Sequence, residues 1–376
     1  MAEAIRIDTA EVIDAHEWSG LYVFEKYNLP KTDIPLLPRL AKNTNKQNEY
    51  LILQPFSKKA IGSIHTLKQL DHFSPGDIIY IDGQHGKIRG ILNKNANANT
   101  LLVTEQCDNF CKFCSQPPKT QNDIALYEKA TLSILNYGRS DLIGISGGEP
   151  TLNQKAFSTF LKTLNSFHNT TPLHILTNGR GFSDKKFCNE VTEILAERFC
   201  LWGIPIYGFE SQTHNTLVEA DNAFIETVSG IRNLLGAGQA IEIRVVPVRD
   251  NLKDLPLIID FVQSNLAQVA YISLMNMEPK GLARKNFNSL FVPQRDQNSA
   301  LLEAIELAEV HSLNIRLFNY ALCQLDESLH KYACKSISDW KNYYTDECNT
   351  CNKKTECGGM FTSADGRFLE NPRAFK

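Results

Sequence analysis

The alternation of apolar and polar positions changes character near residue 98. Before it, short apolar runs are broken by turn-forming residues. Residues 49–54 and 77–82 read as strands, the second introduced by Pro75-Gly76. Asp82-Gly83-Gln84-His85-Gly86 is a turn between Ile78-Ile79-Tyr80-Ile81 and Ile88-Arg89-Gly90-Ile91-Leu92, which predicts a hairpin. Residues 1–97 are therefore expected to form a small β-rich N-terminal domain. The Asn- and Ala-rich stretch 93–99 reads as a linker.

Beyond residue 98, apolar runs alternate with stretches of helical period, as in βα units. Strands are predicted at 101–103, 141–145, 173–176, 200–204, 241–248 and 269–275. Helices are predicted at 124–137, 155–167, 185–198, 223–235, 255–265 and 301–310, before a last extended segment at 314–318. Gly236 and Gly238 close the fourth helix. Right-handed crossovers would curl these six units into an α/β partial barrel, (βα)6, over 98–312. A cysteine-rich extension, 313–376, follows. In parallel barrels the chemistry lies at the C-terminal strand ends.

Composition narrows the setting. The net charge of −3, without long runs of one sign, gives no signal for nucleic acid. The N-terminal segment lacks the apolar core of a secretory signal, and no stretch is long and apolar enough to span a membrane. A cytoplasmic protein without membrane or nucleic-acid partners is expected. In that reducing setting the ten cysteines read as metal ligands rather than disulfides. His16, His65, His72 and His85 show no metal spacing and read as solvated or structural. Cys188 and Cys200 sit in helix and strand patterns and read as buried small hydrophobes.

The candidate chemistry begins just after the strand at 101–103, where Thr104-Glu105-Gln106-Cys107-Asp108-Asn109-Phe110-Cys111-Lys112-Phe113-Cys114 carries the spacing CxxxCxxC. Three thiolates can hold three irons of a [4Fe–4S] cube and leave the fourth iron open for a small molecule. The competing reading is zinc or a chance cluster, but this is not a common zinc spacing and no histidine lies near to complete a site. The next strand runs into Ser146-Gly147-Gly148-Glu149-Pro150, where two glycines let a ligand approach the backbone. The third ends in Thr177-Asn178-Gly179, which is also a common tight turn. Arg244 alternates with Ile243 and Val245 and is expected to face the barrel interior. There it would clamp a carboxylate, and the competing readings are an ion pair with Glu242 or a solvated edge.

A second group lies in the tail: Cys323, Cys334, Cys348, Cys351 and Cys357. Three clustered thiols and a more distant one make a four-thiolate set for iron–sulfur or zinc. Cys334, in the locally helical Lys331-Tyr332-Ala333-Cys334-Lys335, falls outside the expected set of Cys323, Cys348, Cys351 and Cys357.

These motifs resemble the radical S-adenosylmethionine (SAM) superfamily, and within it the C-type maturases of the His-Xaa-Ser repeat system. The resemblance rests on residues 104–119 and 145–151, on Lys-Ser-Ile-Ser-Asp-Trp-Lys-Asn-Tyr at 335–343, and on Cys357-Gly358-Gly359-Met360-Phe361. It implies that SAM chelates the open iron held by Cys107, Cys111 and Cys114. One electron from the cluster then cleaves SAM to a 5′-deoxyadenosyl radical. It implies a cofactor-contacting role for Phe113, for the Gly147-Gly148-Glu149-Pro150 turn, for Thr177 and for Met275, with Arg244 a further candidate. No catalytic side chain is assigned beyond the cluster. Pro205 departs from the family, where a Ser often stands nearby; Tyr207 or Ser211 would take over its work. The tail would carry an auxiliary [4Fe–4S] cluster. The implied partners are a ribosomally made peptide or protein substrate, a second radical SAM maturase and an external reductant. The N-terminal domain would recruit a leader peptide by strand addition at a sheet edge. The alternatives are a radical SAM enzyme acting on a small metabolite and a non-catalytic metal-binding accessory subunit.

Overall fold

A computed structural model describes residues 9–13, 16–24, 36–54, 59–139, 141–335, 341–364 and 370–376. Most of the 335–343 motif, residues 336–340, lies outside them.

The N-terminal strands are β1 (Thr9–Ile13), β2 (Gly20–Phe24), β3 (Arg39–Lys42), β4 (Glu49–Leu53), β5 (Ala60–Thr66), β6 (Ile78–Asp82) and β7 (Lys87–Leu92). They close into a barrel in the order β1-β5-β4-β3-β2-β6-β7, with β1 pairing both β5 and β7. Tyr22, Leu40, Ile52, Ile64, Ile79, Ile81 and Ile88 fill it. Closure removes the free edge that strand addition needs, so the expectation of an edge-docked leader peptide on this domain is corrected. Strands such as β5 were illegible because Gly62 interrupts the pattern. A Cβ there would fall 2.2 Å from the Trp18 ring, so the glycine is a packing choice.

The stretch 93–99 is not a loose linker. Asn93 and Asn99 are buried and bonded to each other, and the Tyr137 hydroxyl donates to Asn93 O at 3.0 Å. The barrel's outer face, with Leu21, Val23, Leu37, Ile78 and Leu92, joins the main hydrophobic core.

The second unit runs β8 (Asn99–Thr104), α1 (Ala125–Tyr137), β9 (Ile143–Gly147), α2 (Gln154–Ser166), β10 (Leu173–Leu176), α3 (Lys185–Ile194) and β11 (Cys200–Pro205). It continues through α4 (Ser211–Val218), α5 (Ala223–Gly236), β12 (Ala240–Val245), α6 (Leu255–Leu266) and β13 (Tyr271–Met275). After these come α7 (Leu282–Lys285), α8 (Phe287–Leu290), α9 (Gln294–Val310), β14 (Ile315–Phe318) and β15 (Ala333–Cys334). The strands form one parallel, eight-stranded sheet in chain order, with β8 and β15 at its edges. The sheet is thus two strands longer than the six expected. β14 is short, β15 is a two-residue strand, and neither carries a helical crossover pattern between them. Buried Cys188 and Cys200 are part of the main core. A two-stranded ribbon of β16 (Asn342–Tyr343) and β17 (Met360–Phe361) orders the tail.

Two helix bounds moved for a physical reason. α3 stops at Ile194, and Arg198 turns back to cap loops, its Nη1 donating to Thr171 O at 2.6 Å and its Nη2 to Asn165 Oδ1 at 2.9 Å. α9 starts at Gln294 because Gln294 and Gln297 are buried in side-chain bonds, as with the Tyr320 hydroxyl donating to Gln297 Oε1 at 2.8 Å. No helix among the described residues is long and apolar enough to cross a membrane.

Candidate metal centres

β8 ends at Thr104, and the loop behind it carries the half-buried thiols Cys107, Cys111 and Cys114. Neighbouring strand ends grip this loop. Gly148 N–H donates to Thr104 O at 2.9 Å and Glu149 N–H to Gln106 O at 2.7 Å. Phe110 and Lys112 donate their N–H groups to Val218 O and Leu217 O, both at 2.9 Å. Those carbonyls are the unsatisfied end of α4. Arg180, after β10, donates through Nη1 to Asp108 O at 3.1 Å and Asn109 Oδ1 at 2.8 Å, and through Nε to Glu226 Oε2 on α5 at 2.6 Å. Leu282 N–H reaches Cys114 O at 2.8 Å, beside Gly281, whose φ of +58° suits glycine. Asp108, Arg180 and α4 were missed from sequence. Arg180 meets Asp108 across 72 residues, and no local pattern announces such a pair.

Two glycines permit this approach. A Cβ on Gly148 would lie 2.2 Å from Gln106 O and 3.0 Å from Cys107 Cβ; one on Gly147 would lie 2.9 Å from Thr104 O. Glu149, 1% exposed, ties the turn to the next strand end. Its Oε1 accepts from Thr151 N–H at 2.7 Å, Thr151 Oγ1 at 2.6 Å and Thr177 Oγ1 at 2.7 Å, and its Oε2 from Asn178 N–H at 2.5 Å. Burial pushes its pKa up, and these donors oppose the rise. Thr177 Oγ1 also accepts from Gly179 N–H at 3.1 Å. The side chains of Glu149 and Thr177 are therefore engaged within the protein. Pro150 O accepts from the Tyr127 hydroxyl at 2.5 Å.

Burial pushes the Cys107 thiol up to about 12 and raises Cys111 and Cys114 as well, with the two neighbouring thiols adding to the effect on Cys111. Phe113, between the last two, is buried among Leu217, Val248, Met277 and Leu290, edge-on to the Tyr207 ring at 4.7 Å. Tyr207 N–H donates to His214 Nδ1 at 3.1 Å; burial pushes the His214 pKa down to about 4. Ser211 opens α4, and Met275 closes β13 opposite Phe318.

Inside the sheet, alternation places Glu242 and Arg244 on one face, as expected for Arg244. Of the three expected arrangements, the ion pair is the one present: Arg244 Nη1 lies 3.1 Å from both Glu242 oxygens. His174 Nε2 donates to Glu242 Oε2 at 2.7 Å, and Ser273 Oγ to Oε1 at 2.5 Å. Burial pushes Glu242 up, but Arg244, His174 and Ser273 outweigh it and hold the pKa at about 2.

The tail builds a second centre. Cys323, Cys348, Cys351 and Cys357 line one recess, with Tyr344, Lys353, Lys354, Arg373 and Phe375. Cys334 is elsewhere, in β15. Leu322 and Gly359 donate N–H groups to Cys357 Sγ at 3.4 and 3.3 Å, and Phe375 N–H to Cys351 Sγ at 3.4 Å. Burial pushes the Cys357 pKa up against its two N–H donors. Among the described residues, no group of three His, Cys, Asp or Glu side chains is close enough to hold a single metal ion. A cube separates its thiolates by its own width, so its fit rests on the donor set and the loop.

An open parallel sheet with a cysteine loop behind its first strand is an α/β fold already present in solved structures. Native anSMEcpe with bound AdoMet is similar over 73% of this chain and 92% of that chain, at 13% identity and a TM-score of 0.52. Coproporphyrinogen III oxidase (HemN) from Escherichia coli, a radical SAM enzyme, is similar over 56% of this chain and 52% of that one, at 18% identity and a TM-score of 0.42. Streptococcus suis SuiB matches at 15% identity and a TM-score of 0.44, over 58% of this chain. The chain spans about half of SuiB's length, 48%. At these identities the likeness is one of fold, and it is carried by anSMEcpe. No family model matches the chain, and no curated protein matches it.

Proposed function

We propose that the chain is a radical SAM enzyme that modifies a ribosomally made peptide or protein, of the His-Xaa-Ser repeat type. The observation that carries this reading is the clamped CxxxCxxC loop at the C-terminal edge of a sheet whose fold is shared with AdoMet-bound anSMEcpe. Cys107, Cys111 and Cys114 would hold the first cluster: they are three soft sulfur donors on one short loop, partly buried, and that burial raises their thiol pKa values. With SAM bound, that cluster would supply the 5′-deoxyadenosyl radical that abstracts a substrate hydrogen.

The chain's own work is positioning. The Gly147–Pro150 turn would offer backbone to SAM, while Glu149 and Thr177 hold that turn in place. Arg244, in its ion pair, and Met275 stand at the strand ends around the same mouth. Cys323, Cys348, Cys351 and Cys357 would hold an auxiliary [4Fe–4S] cluster. A peptide substrate is supported by the anSMEcpe structure that holds the Cp18Cys peptide, which has the same fold at 12% identity and a TM-score of 0.51. The repeat system, a second maturase and an external reductant rest on the sequence resemblance.

After anaerobic reconstitution and reduction, the protein is expected to bind about eight irons per chain and to release deoxyadenosine from SAM. A His-Xaa-Ser repeat peptide should change mass in the same reaction. Cys107→Ala should abolish deoxyadenosine. An unchanged yield in that variant, or none from the parent protein, would end the reading.

A further inference from the structure

We propose that Lys353 tunes the second thiol centre and that the chain gives this centre the higher reduction potential of the two. The inference rests on reading both cysteine groups as iron–sulfur sites.

Reduction adds negative charge to a cluster. Positive charge and hydrogen bonds to its sulfurs therefore raise the potential, and nearby carboxylates lower it. The two centres differ in both respects. Around the first, Cys107 Sγ accepts one N–H bond, from Asn109 at 3.4 Å, and the Cys114 thiol is bonded to a carbonyl, Gln116 O. The charges that act on Cys107 are those of Glu149 and Asp108, with the Cys114 thiol beside them, and Asp108 is paired with Arg180 at 3.3 Å. Around the second, backbone N–H groups of Leu322, Gly359 and Phe375 point at sulfur, and Gln324 Nε2 lies 3.8 Å from Cys323 Sγ. Lys353, Lys354 and Arg373 line its recess.

Lys353 is the cation built into place. His330 donates from Nε2 to Leu322 O at 2.9 Å, which leaves Nδ1 to accept from Lys353 Nζ at 3.2 Å. The other side of Nζ rests 4.7 Å over the Phe375 ring. Neither contact is a carboxylate, so they fix the ammonium without pairing its charge. Phe375 at once donates to Cys351 Sγ and covers Lys353, so the segment 370–376 couples the cation to the ligand set. Glu370 anchors that segment, accepting from Gln294 N–H at 2.7 Å and Nε2 at 2.8 Å.

The test is a redox titration of the reconstituted full chain followed by electron paramagnetic resonance, with Cys351→Ala used to assign the second centre's signal. The second centre should titrate at the more positive potential. Lys353→Gln should move that midpoint negative and leave the first in place, and Lys353→Arg should keep the parent value. Two clusters with Lys353→Gln changing neither midpoint, or shifting both equally, overturns this inference while the proposed function stands. About four irons per chain, or zinc in the tail, overturns it together with the auxiliary-cluster reading.

Discussion

Gly148→Ala is expected to strip the first centre of its iron while the second stays loaded. The added Cβ would lie 2.2 Å from a main-chain oxygen, Gln106 O, and 3.0 Å from Cys107 Cβ. No rotamer change relieves a clash with backbone, so the cysteine loop must move. That movement breaks the bonds that register it, Gly148 N–H to Thr104 O and Glu149 N–H to Gln106 O. Overpacking of this kind costs about 1–3 kcal/mol, which a chain of this size survives. The chemistry is more sensitive, since a displacement near 1 Å costs about 100-fold in rate. Iron should fall from about eight to about four per chain, and deoxyadenosine release by about 100-fold or more, with an unchanged thermal unfolding profile for the tail. Full iron and full SAM cleavage in this variant would show that the turn and the loop do not need this contact. Gly147→Ala should be milder, because its clash of 2.9 Å includes the movable Thr104 methyl.

Glu242→Gln should be the most destabilising single change inside the sheet, by about 3–5 kcal/mol in urea unfolding at neutral pH. The carboxylate is fully buried and serves Arg244, His174 and Ser273 together. Removing its charge leaves Arg244 without its counter-ion in a low-dielectric setting. The pH dependence has a definite sign. The folded pKa, about 2, lies below the roughly 4.3 of an unfolded Glu, so the pair stabilises fully above that value. The gap between parent and variant should therefore be flat from neutrality to about pH 5 and close as pH falls through the window between those two values. The double variant Glu242→Leu with Arg244→Met should recover only part of the loss, because it removes the stranded charge but still leaves His174 and Ser273 without their acceptor. A gap that widened with acid would refute the assignment.

How much of this was legible in the chain follows from the range of each interaction. The helices and strands of the βα region, the β-rich start and the CxxxCxxC and SGGEP motifs depend on neighbours within a turn or two. Periodicity and spacing report such neighbours directly, so the sequence alone determined the parallel α/β class and the candidate donor sets. Long-range contacts leave no such trace. The predicted strand at 101–103 and the extended segment at 314–318 lie near opposite flanks of one sheet, a placement no local pattern gives, and cysteines follow the C-terminal end of each. Tertiary structure also decided that the first domain closes on itself, that Asn93 to Asn99 is a bolted corner, and that Arg244 spends its charge on Glu242. It decided as well that Arg180 and α4 clamp the cysteine loop. Each of these depends on which distant groups share a small buried volume, where an unpaired polar group is costly. One-dimensional patterning records the need for a partner and not its address.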